Sequence, residues 1–88
     1  MRIDKYLKVS RLIKRRSLAK TMADNGRIQI NDKVVKASAN VSIGDQLTLQ
    51  FGPKIVKIEV LQIQDSTKKD DAKYMFKYLD SYNEVTHE

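Results

Sequence analysis

The sequence has no cysteine, one histidine, one proline and three glycines, and these shortages exclude several classes of protein. Without cysteine the chain forms no disulfide and no thiolate metal site, which suits a reducing cytosol. No apolar run approaches the length of about 18 residues that a membrane-spanning helix needs, and the N-terminus begins with charged sequence instead of an apolar signal core. We therefore expect a soluble cytoplasmic protein with no role in a membrane.

The residues on which catalysis depends are equally scarce. The single histidine, His87, lies near the C-terminus, where chains commonly fray, and we assign it no role. There is no glycine-rich phosphate loop, and no carboxylate pair is embedded in apolar sequence as general acid–base catalysis requires. We interpret Asp70 and Asp71 as a solvated helix start, not as a metal site. The sequence therefore predicts a protein that is not an enzyme and that uses no cofactor and no metal.

Positive charge, in contrast, is abundant and segregated. Residues 1–36 contain eleven lysines and arginines against three aspartates, a net charge of +8, whereas residues 37–88 have a net charge of −2. Segregated positive charge is typical of proteins that bind a polyanion, because each neutralised phosphate releases counterions. The alternative is a solvated face that only aids solubility.

Much of this charge recurs at every third position near the N-terminus. Three residues advance a helix by about 300°, so such a series stays within one broad sector over two turns. The series then runs on into Arg15 and Arg16, and we call the whole set the basic stripe: Arg2, Lys5, Lys8, Arg11, Lys14, Arg15 and Arg16. Further candidate contacts outside the stripe are Lys20, Arg27 and Lys33.

Hydrophobic spacing predicts two short helices, over residues 3–9 and about 15–25. We expect the second helix to bury one stripe of side chains and to end at a glycine in the left-handed conformation. The predicted stripe is Leu18, Ala19, Met22 and Ala23, and the glycine is Gly26. Asp4 precedes Lys8 by four residues, which favours a helix, and we expect Asp4 to orient Arg2 or Lys8.

Alternating apolar residues then predict a small, mostly antiparallel sheet. Strands are expected at 28–30 and 33–35, joined by an Asn31-Asp32 turn, and further along at 46–51 and 55–63. The side-chain alternation changes near Val60, where we expect a bulge or a strand end.

The last segment, residues 65–82, is predicted to be a C-terminal helix that packs on the sheet. Its apolar stripe comprises Ala72, Met75, Phe76 and Leu79, and its flank carries Tyr74, Tyr78 and Tyr82. The fold class is therefore α+β, with residues 1–64 as one small domain and residues 65–88 as a C-terminal helix and tail on the same domain. If that helix instead presented its tyrosines outward, the protein would be a protein-interaction adaptor.

Two helices joined by a short corner could also form a DNA-reading helix-turn-helix. The second helix, however, feeds directly into a hairpin, and its arginines are bunched at its start with few Asn or Gln residues to read base edges. Bunched arginines favour phosphate and shape recognition, as in structured RNA, and we expect no binding to DNA.

At this point the residues resemble a known family. Arg2, Asp4 and Leu7, then Arg16, Ala19, Met22 and Gly26, and finally the Gly44-Asp45 turn occur in the order of the S4 RNA-binding domain. The match spans about residues 1–50. Within that family the chain is similar to the RqcP group of bacterial ribosome quality-control factors, and also to the ribosome-associated heat-shock protein of the same class.

This resemblance implies a monomeric RNA-binding factor with an S4-type, αL-like fold. Its partners would be the rRNA of the large ribosomal subunit, the P-site peptidyl-tRNA and RqcH, with which it would support alanine tailing of stalled chains. The arginines that open the two helices, here Arg2 and Arg16, would face the RNA. The alternative within the family is a heat-shock-type rescue factor that binds the same blocked subunit without a role in tailing.

Overall fold

The structure is a computed structural model that describes residues 1–66, 68 and 70–83, so His87 and the end of the predicted tail lie outside the described residues. Two helices, α1 (Ile3–Val9) and α2 (Arg16–Asp24), precede the five strands. The strands are β1 (Ile28–Ile30), β2 (Lys33–Val34), β3 (Gln46–Phe51), β4 (Lys54–Val60) and β5 (Phe76–Asn83), with a short 3₁₀ turn at Ala72–Tyr74 before the last. Within this described part, no helix has the length and apolar character that crossing a membrane requires.

The five strands form one antiparallel sheet in the order β2-β1-β3-β4-β5. The helices cover one face of it, since side chains from α1, α2 and alternate positions of β3 and β4 form a single core. Leu47, Leu49 and Ile58 are fully buried in that core. The antiparallel sheet with two N-terminal helices confirms the predicted α+β class.

Both predicted helices are present. The end of α2 satisfies its last carbonyls as a glycine cap does, because Gly26 has φ of +72° and the Gly26 and Arg27 amides donate to Ala23 and Met22. Ala19, Met22 and Ala23 are buried as predicted. Leu18, predicted to share their face, is exposed instead.

The predicted hairpin turn is confirmed at Asn31 and Asp32, which have φ of +49° and +69°. Positive φ at both central residues is what a two-residue hairpin loop of type I′ requires. The Asn31 side chain also joins the turn to the start of β3. Its Nδ2 donates to Asp45 Oδ1 at 3.1 Å, and its Oδ1 accepts from the Gln46 amide at 2.9 Å. A side chain therefore fixes this hairpin where the sequence has no glycine.

The predicted C-terminal helix is wrong. After the 3₁₀ turn the chain becomes β5, which pairs with β4 along its length. A fifth strand satisfies the backbone groups along one edge of β4, and the aromatic residues of this segment favour a strand. The helical spacing of the apolar residues was misleading, since Ala72 and Met75 are buried but Leu79 is exposed.

The pairing of β4 with β5 shifts register between Lys57 and Ile58, which face Asp80 and Tyr78. Leu79 is left without a partner, so β5 contains a bulge at that residue. The sequence predicted a bulge or a strand end near Val60, and β4 does end at Val60.

The start of β5 is fixed to α1 through one backbone carbonyl. Met75 O accepts hydrogen bonds from Tyr6 Oη at 2.7 Å and from the amides of Leu61 and Gln62 at 2.8 and 3.1 Å. Tyr6 is fully buried, and burial raises the pKa of its hydroxyl well above the ordinary value. Tyr6 thus links the first helix to the last strand.

We expect Tyr6→Phe to lower the free energy of unfolding by about 1 kcal/mol, the usual net value of a neutral hydrogen bond, because Met75 O keeps its two amide donors. Because the pKa is raised on folding, the wild-type protein should also lose stability as the pH rises above about 10, the ordinary tyrosine value. Urea unfolding followed by circular dichroism at pH 7 and pH 11 tests both points. An identical alkaline loss in Tyr6→Phe would contradict the assignment to Tyr6.

Candidate nucleic-acid interface

Two arginines from the two helices meet on one buried carboxylate. Arg2 Nη2 and Arg16 Nε each lie 3.2 Å from Asp4 Oδ2, while Asp4 Oδ1 accepts the Lys5 amide at 2.8 Å. The Asp4 side chain is only 4% exposed, whereas those of Arg2 and Arg16 are 49% and 47% exposed. We call these three residues the Arg–Asp–Arg cluster.

Local backbone structure places each member of the cluster. Arg2 is the N-cap of α1 with extended backbone, Asp4 lies in the first helical turn, and Arg16 opens α2. The amides of Ile3 and Val41 donate to Ala39 O and Met1 O, which pins the chain beside Arg2. These bonds fix the start of α1 against residues 39–41, and the contact of Arg16 with Asp4 joins the start of α2 to it.

The electrostatics of Asp4 depend on a balance of opposing effects. Burial alone would raise the pKa of the carboxyl group. The hydrogen bonds from Arg16 and from the Lys5 amide, with the positive charges of Arg16 and Arg2, outweigh burial and hold the pKa of Asp4 below its ordinary value. Asp4 is therefore an anion at neutral pH and attracts both guanidinium groups.

This arrangement leaves the arginines suited to bind phosphate. A guanidinium group has five N–H donors in a rigid fork, and the contact with Asp4 uses one donor from each arginine. Because Asp4 already restrains both side chains, less rotamer entropy is lost when a phosphate binds. The pair can thus present pre-oriented donors to a polyanion.

The remaining residues of the basic stripe lie on α1 and in the corner between the two helices. Lys5 Nζ lies 3.4 Å from the exposed Asp65 Oδ1, and Lys8 and Arg11 line a shallow depression with Val9, Asp65 and Ser66. Arg11 adopts φ of +64° in the corner between the helices. Lys14 and Arg15 are exposed in the same corner.

Arg15 occupies the N-cap position of α2, where its side chain makes no capping hydrogen bond. Serine, threonine, aspartate and asparagine are the residues that ordinarily cap a helix here. The exposed Arg15 side chain therefore adds a cation beside Arg16 instead of stabilising the helix.

The candidates outside the stripe lie apart from one another. Lys20 is one turn beyond Arg16 on α2, Arg27 follows the glycine cap, and Lys33 begins β2 at the edge of the sheet. All three side chains are exposed. In the described part of the chain, no group of acidic or histidine residues has the arrangement of a metal site.

The prediction that Asp4 orients Arg2 is confirmed, and its second partner is Arg16 rather than Lys8. Sequence reasoning missed the Arg16 contact and the approach of Asp65 to Lys5. Both join residues that are distant along the chain, so helical spacing could not reveal them. An acidic residue inside a basic, partly apolar helix was the available signal for the first contact.

Known proteins share the sequence pattern of this chain over most of its length. The family model of the S4 domain matches residues 1–47. The chain is 56% identical over 79 residues to the RQC P-site tRNA stabilizing factor of Bacillus subtilis, covering 90% of this chain and 92% of that protein. The corresponding factor of Streptococcus pneumoniae is 49% identical, with 90% of both chains covered.

A solved structure supports the same relationship. The fold is similar to that of heat shock protein 15 of Vibrio cholerae, with a TM-score of 0.83, 32% identity, and coverage of 90% of this chain and 81% of that one. The helices, the glycine cap and the hairpin of this chain all lie within residues 1–47, which the S4 family model matches. The chain therefore belongs to the S4 domain family, in the branch that contains the RQC P-site tRNA stabilizing factors.

Proposed function

We propose that this protein is a non-enzymatic RNA-binding factor of ribosome quality control. It binds rRNA and peptidyl-tRNA in the P site of obstructed large ribosomal subunits, and it supports C-terminal alanine tailing of stalled chains together with RqcH. It acts in the cytoplasm as a monomer. The observation that carries this proposal is the Arg–Asp–Arg cluster, set in a chain that resembles the P-site tRNA stabilizing factors over most of its length.

The distribution of charge supports RNA as the ligand. The basic stripe follows α1, the corner and the start of α2, so its positive charge is concentrated on abutting helices. Two guanidinium groups restrained by one carboxylate suit phosphates at a fixed spacing, as on a structured RNA. We assign phosphate contacts to the ten basic residues Arg2, Lys5, Lys8, Arg11, Lys14, Arg15, Arg16, Lys20, Arg27 and Lys33.

The proposal is tested in cells that lack the gene. Deletion should abolish alanine tails on a reporter chain stalled without a stop codon, and the wild-type gene should restore them. A gene encoding Arg2→Ala with Arg16→Ala should fail to restore tails although the protein accumulates normally. Tails of ordinary length in the deletion strain would contradict the proposed role.

A second candidate is a heat-shock-type rescue factor, which the similarity to heat shock protein 15 favours. Such a factor would bind the same blocked subunits but leave tailing unchanged. The deletion strain separates the two candidates: persistent tails together with slow clearance of blocked large subunits would favour the second. Sedimentation profiles of ribosomal subunits provide that measurement.

A further inference from the structure

The 3₁₀ turn and β5 present exposed aromatic rings that the basic stripe does not explain. Tyr78 and Tyr74 are 64% and 56% exposed, and Tyr82 is 41% exposed. Tyr74 and Tyr78 each follow a lysine in the chain, Lys73 and Lys77. Exposed rings with neighbouring cations are typical of surfaces on which unpaired bases stack.

The bulge in β5 places two of these rings on opposite faces of the sheet. Tyr78 lies opposite Ile58, which is fully buried beneath the helices, so Tyr78 belongs to the helix-bearing face. Tyr82 lies opposite Ile55, which alternates with buried Val56 and therefore belongs to the other face. Without the bulge the two tyrosines, four residues apart, would share one face.

The helix-bearing face also carries the basic stripe. Lys5 contacts Asp65, and Tyr6 donates to Met75 O, so the segment that leads into β5 lies alongside α1. Tyr74 immediately precedes this anchored residue and Tyr78 follows it by three. The contacts of Lys5 and Tyr6 therefore place Tyr74 and the start of β5, which carries Tyr78, in the segment that lies beside α1.

Local contacts restrain the rings of Tyr74 and Tyr78, as a surface for base stacking requires. The Phe76 and Tyr78 rings meet edge to face, with centroids 5.2 Å apart at 85°. The Lys73 ammonium lies 5.2 Å from the centre of the Tyr74 ring, which adds a cation beside an aromatic face. Aromatic rings next to cations are the usual means of stacking unpaired bases beside a bound backbone.

We propose that Tyr78, with Tyr74 beside it, stacks on unpaired nucleotides of the RNA whose phosphates the basic stripe binds. This inference rests on the proposed function, because it adds a second contact to the same RNA-binding face. The ligand is single-stranded RNA adjoining a paired stem. Stacking gives a preference for unpaired bases that phosphate contacts alone do not supply.

Binding to two synthetic RNAs tests the proposal: a hairpin with a seven-nucleotide unpaired loop, and a blunt duplex with the sequence of its stem. Tyr78→Leu should bind the hairpin about tenfold more weakly and the duplex as tightly as wild type, since loss of one stacked base costs on that order. The dependence of hairpin affinity on salt should not change, because no phosphate contact is lost. Fluorescence anisotropy with labelled RNA provides these affinities.

Two matched variants serve as controls. Tyr78→Phe keeps the ring and should bind like wild type, and Tyr82→Leu removes a ring from the opposite face of the same strand and should also bind like wild type. If Tyr78→Leu bound both RNAs like wild type, or weakened both equally, the stacking proposal would be overturned. The proposed function has a separate test, since Arg2→Ala with Arg16→Ala should weaken binding to both RNAs.

Should Tyr78→Leu fail to fold, a crosslinking measurement on the wild-type protein replaces it. The hairpin loop is synthesised with 5-iodouridine, irradiated in the complex, and the modified residue is identified by mass spectrometry. A crosslink on Tyr78 or Tyr74 supports the proposal. Crosslinks confined to Tyr82, or to residues of α1 and α2, overturn it.

Discussion

Arg2→Ala combined with Arg16→Ala is expected to weaken binding to large ribosomal subunits that carry peptidyl-tRNA by about 100-fold. A hydrogen bond to a charged group contributes about 1.5–3 kcal/mol, or roughly tenfold or more in affinity for each arginine. Both guanidinium groups are half-exposed and restrained by Asp4. Truncating either arginine therefore removes a phosphate contact that is already oriented. Each single variant should lose about tenfold.

The salt dependence of binding gives a second readout of the same variants. Each phosphate contact contributes about one unit to the slope of log affinity against log salt concentration. The double variant should therefore have a slope that is shallower by about two units. Filter binding or pelleting with loaded subunits at about 50 to 300 mM KCl measures both the affinity and the slope. Phosphate contacts make affinity depend strongly on salt over this range.

Lys57→Ala provides the matched control for lost positive charge. Lys57 lies on β4 opposite Asp80, on the face away from the helices. Its removal should change affinity by less than about twofold, since it lies outside the proposed contact surface. Equal losses in Lys57→Ala and Arg16→Ala would mean that total charge, and not the cluster, determines binding.

Asp4→Asn is expected to lower the free energy of unfolding by about 2 kcal/mol. The substitution removes a buried charge that accepts hydrogen bonds from both arginines, and such bonds contribute about 1.5–3 kcal/mol. Because folding lowers the pKa of Asp4, the stabilisation is fully present above the pKa of the unfolded chain. It is lost as the pH falls through the lower pKa of the folded state.

Urea unfolding at pH 7 and at several values between about pH 5 and 2 measures this effect, the interval in which a carboxylate with a lowered pKa takes up its proton. The wild-type protein should lose stability over that interval by more than Asp4→Asn does, and the two should converge at the acid end. A constant difference between them at every pH would show that Asp4 contributes by packing alone.

Asp4→Asn should also bind RNA less tightly, by about threefold to tenfold, although it makes the surface more positive. The reason is that freed arginine side chains must be ordered again on binding, at a cost of about 0.5–1.5 kcal/mol each. Asp65→Asn makes the same change of charge on an exposed residue beside Lys5 and should slightly tighten binding. Tighter binding by both variants would mean that Asp4 acts only as a negative charge.

The local sequence pattern was sufficient to predict those elements whose structure is determined by neighbouring residues in the chain. The helices at 3–9 and near 15–25, the Gly26 cap and the Asn31-Asp32 hairpin were predictable, because spacing, capping and turn chemistry are properties of adjacent residues. The same reasoning identified the basic stripe, whereas the family came from the resemblance to the S4 domain. It failed for residues 76–83, where aromatic residues at helical spacing fitted a helix but the free edge of β4 selected a strand.

The sequence by itself therefore determined the composition of the site: a segregated positive charge, arginines at two helix starts, and no set of residues typical of a catalytic centre. Only the tertiary structure decided its geometry. It brought Arg16 onto Asp4, twelve residues earlier, and through the register of β4 and β5 it assigned Tyr78 and Tyr82 to opposite faces. The physical reason is that hydrogen bonds between distant residues depend on how elements pack, whereas charge and spacing are present in the unfolded chain.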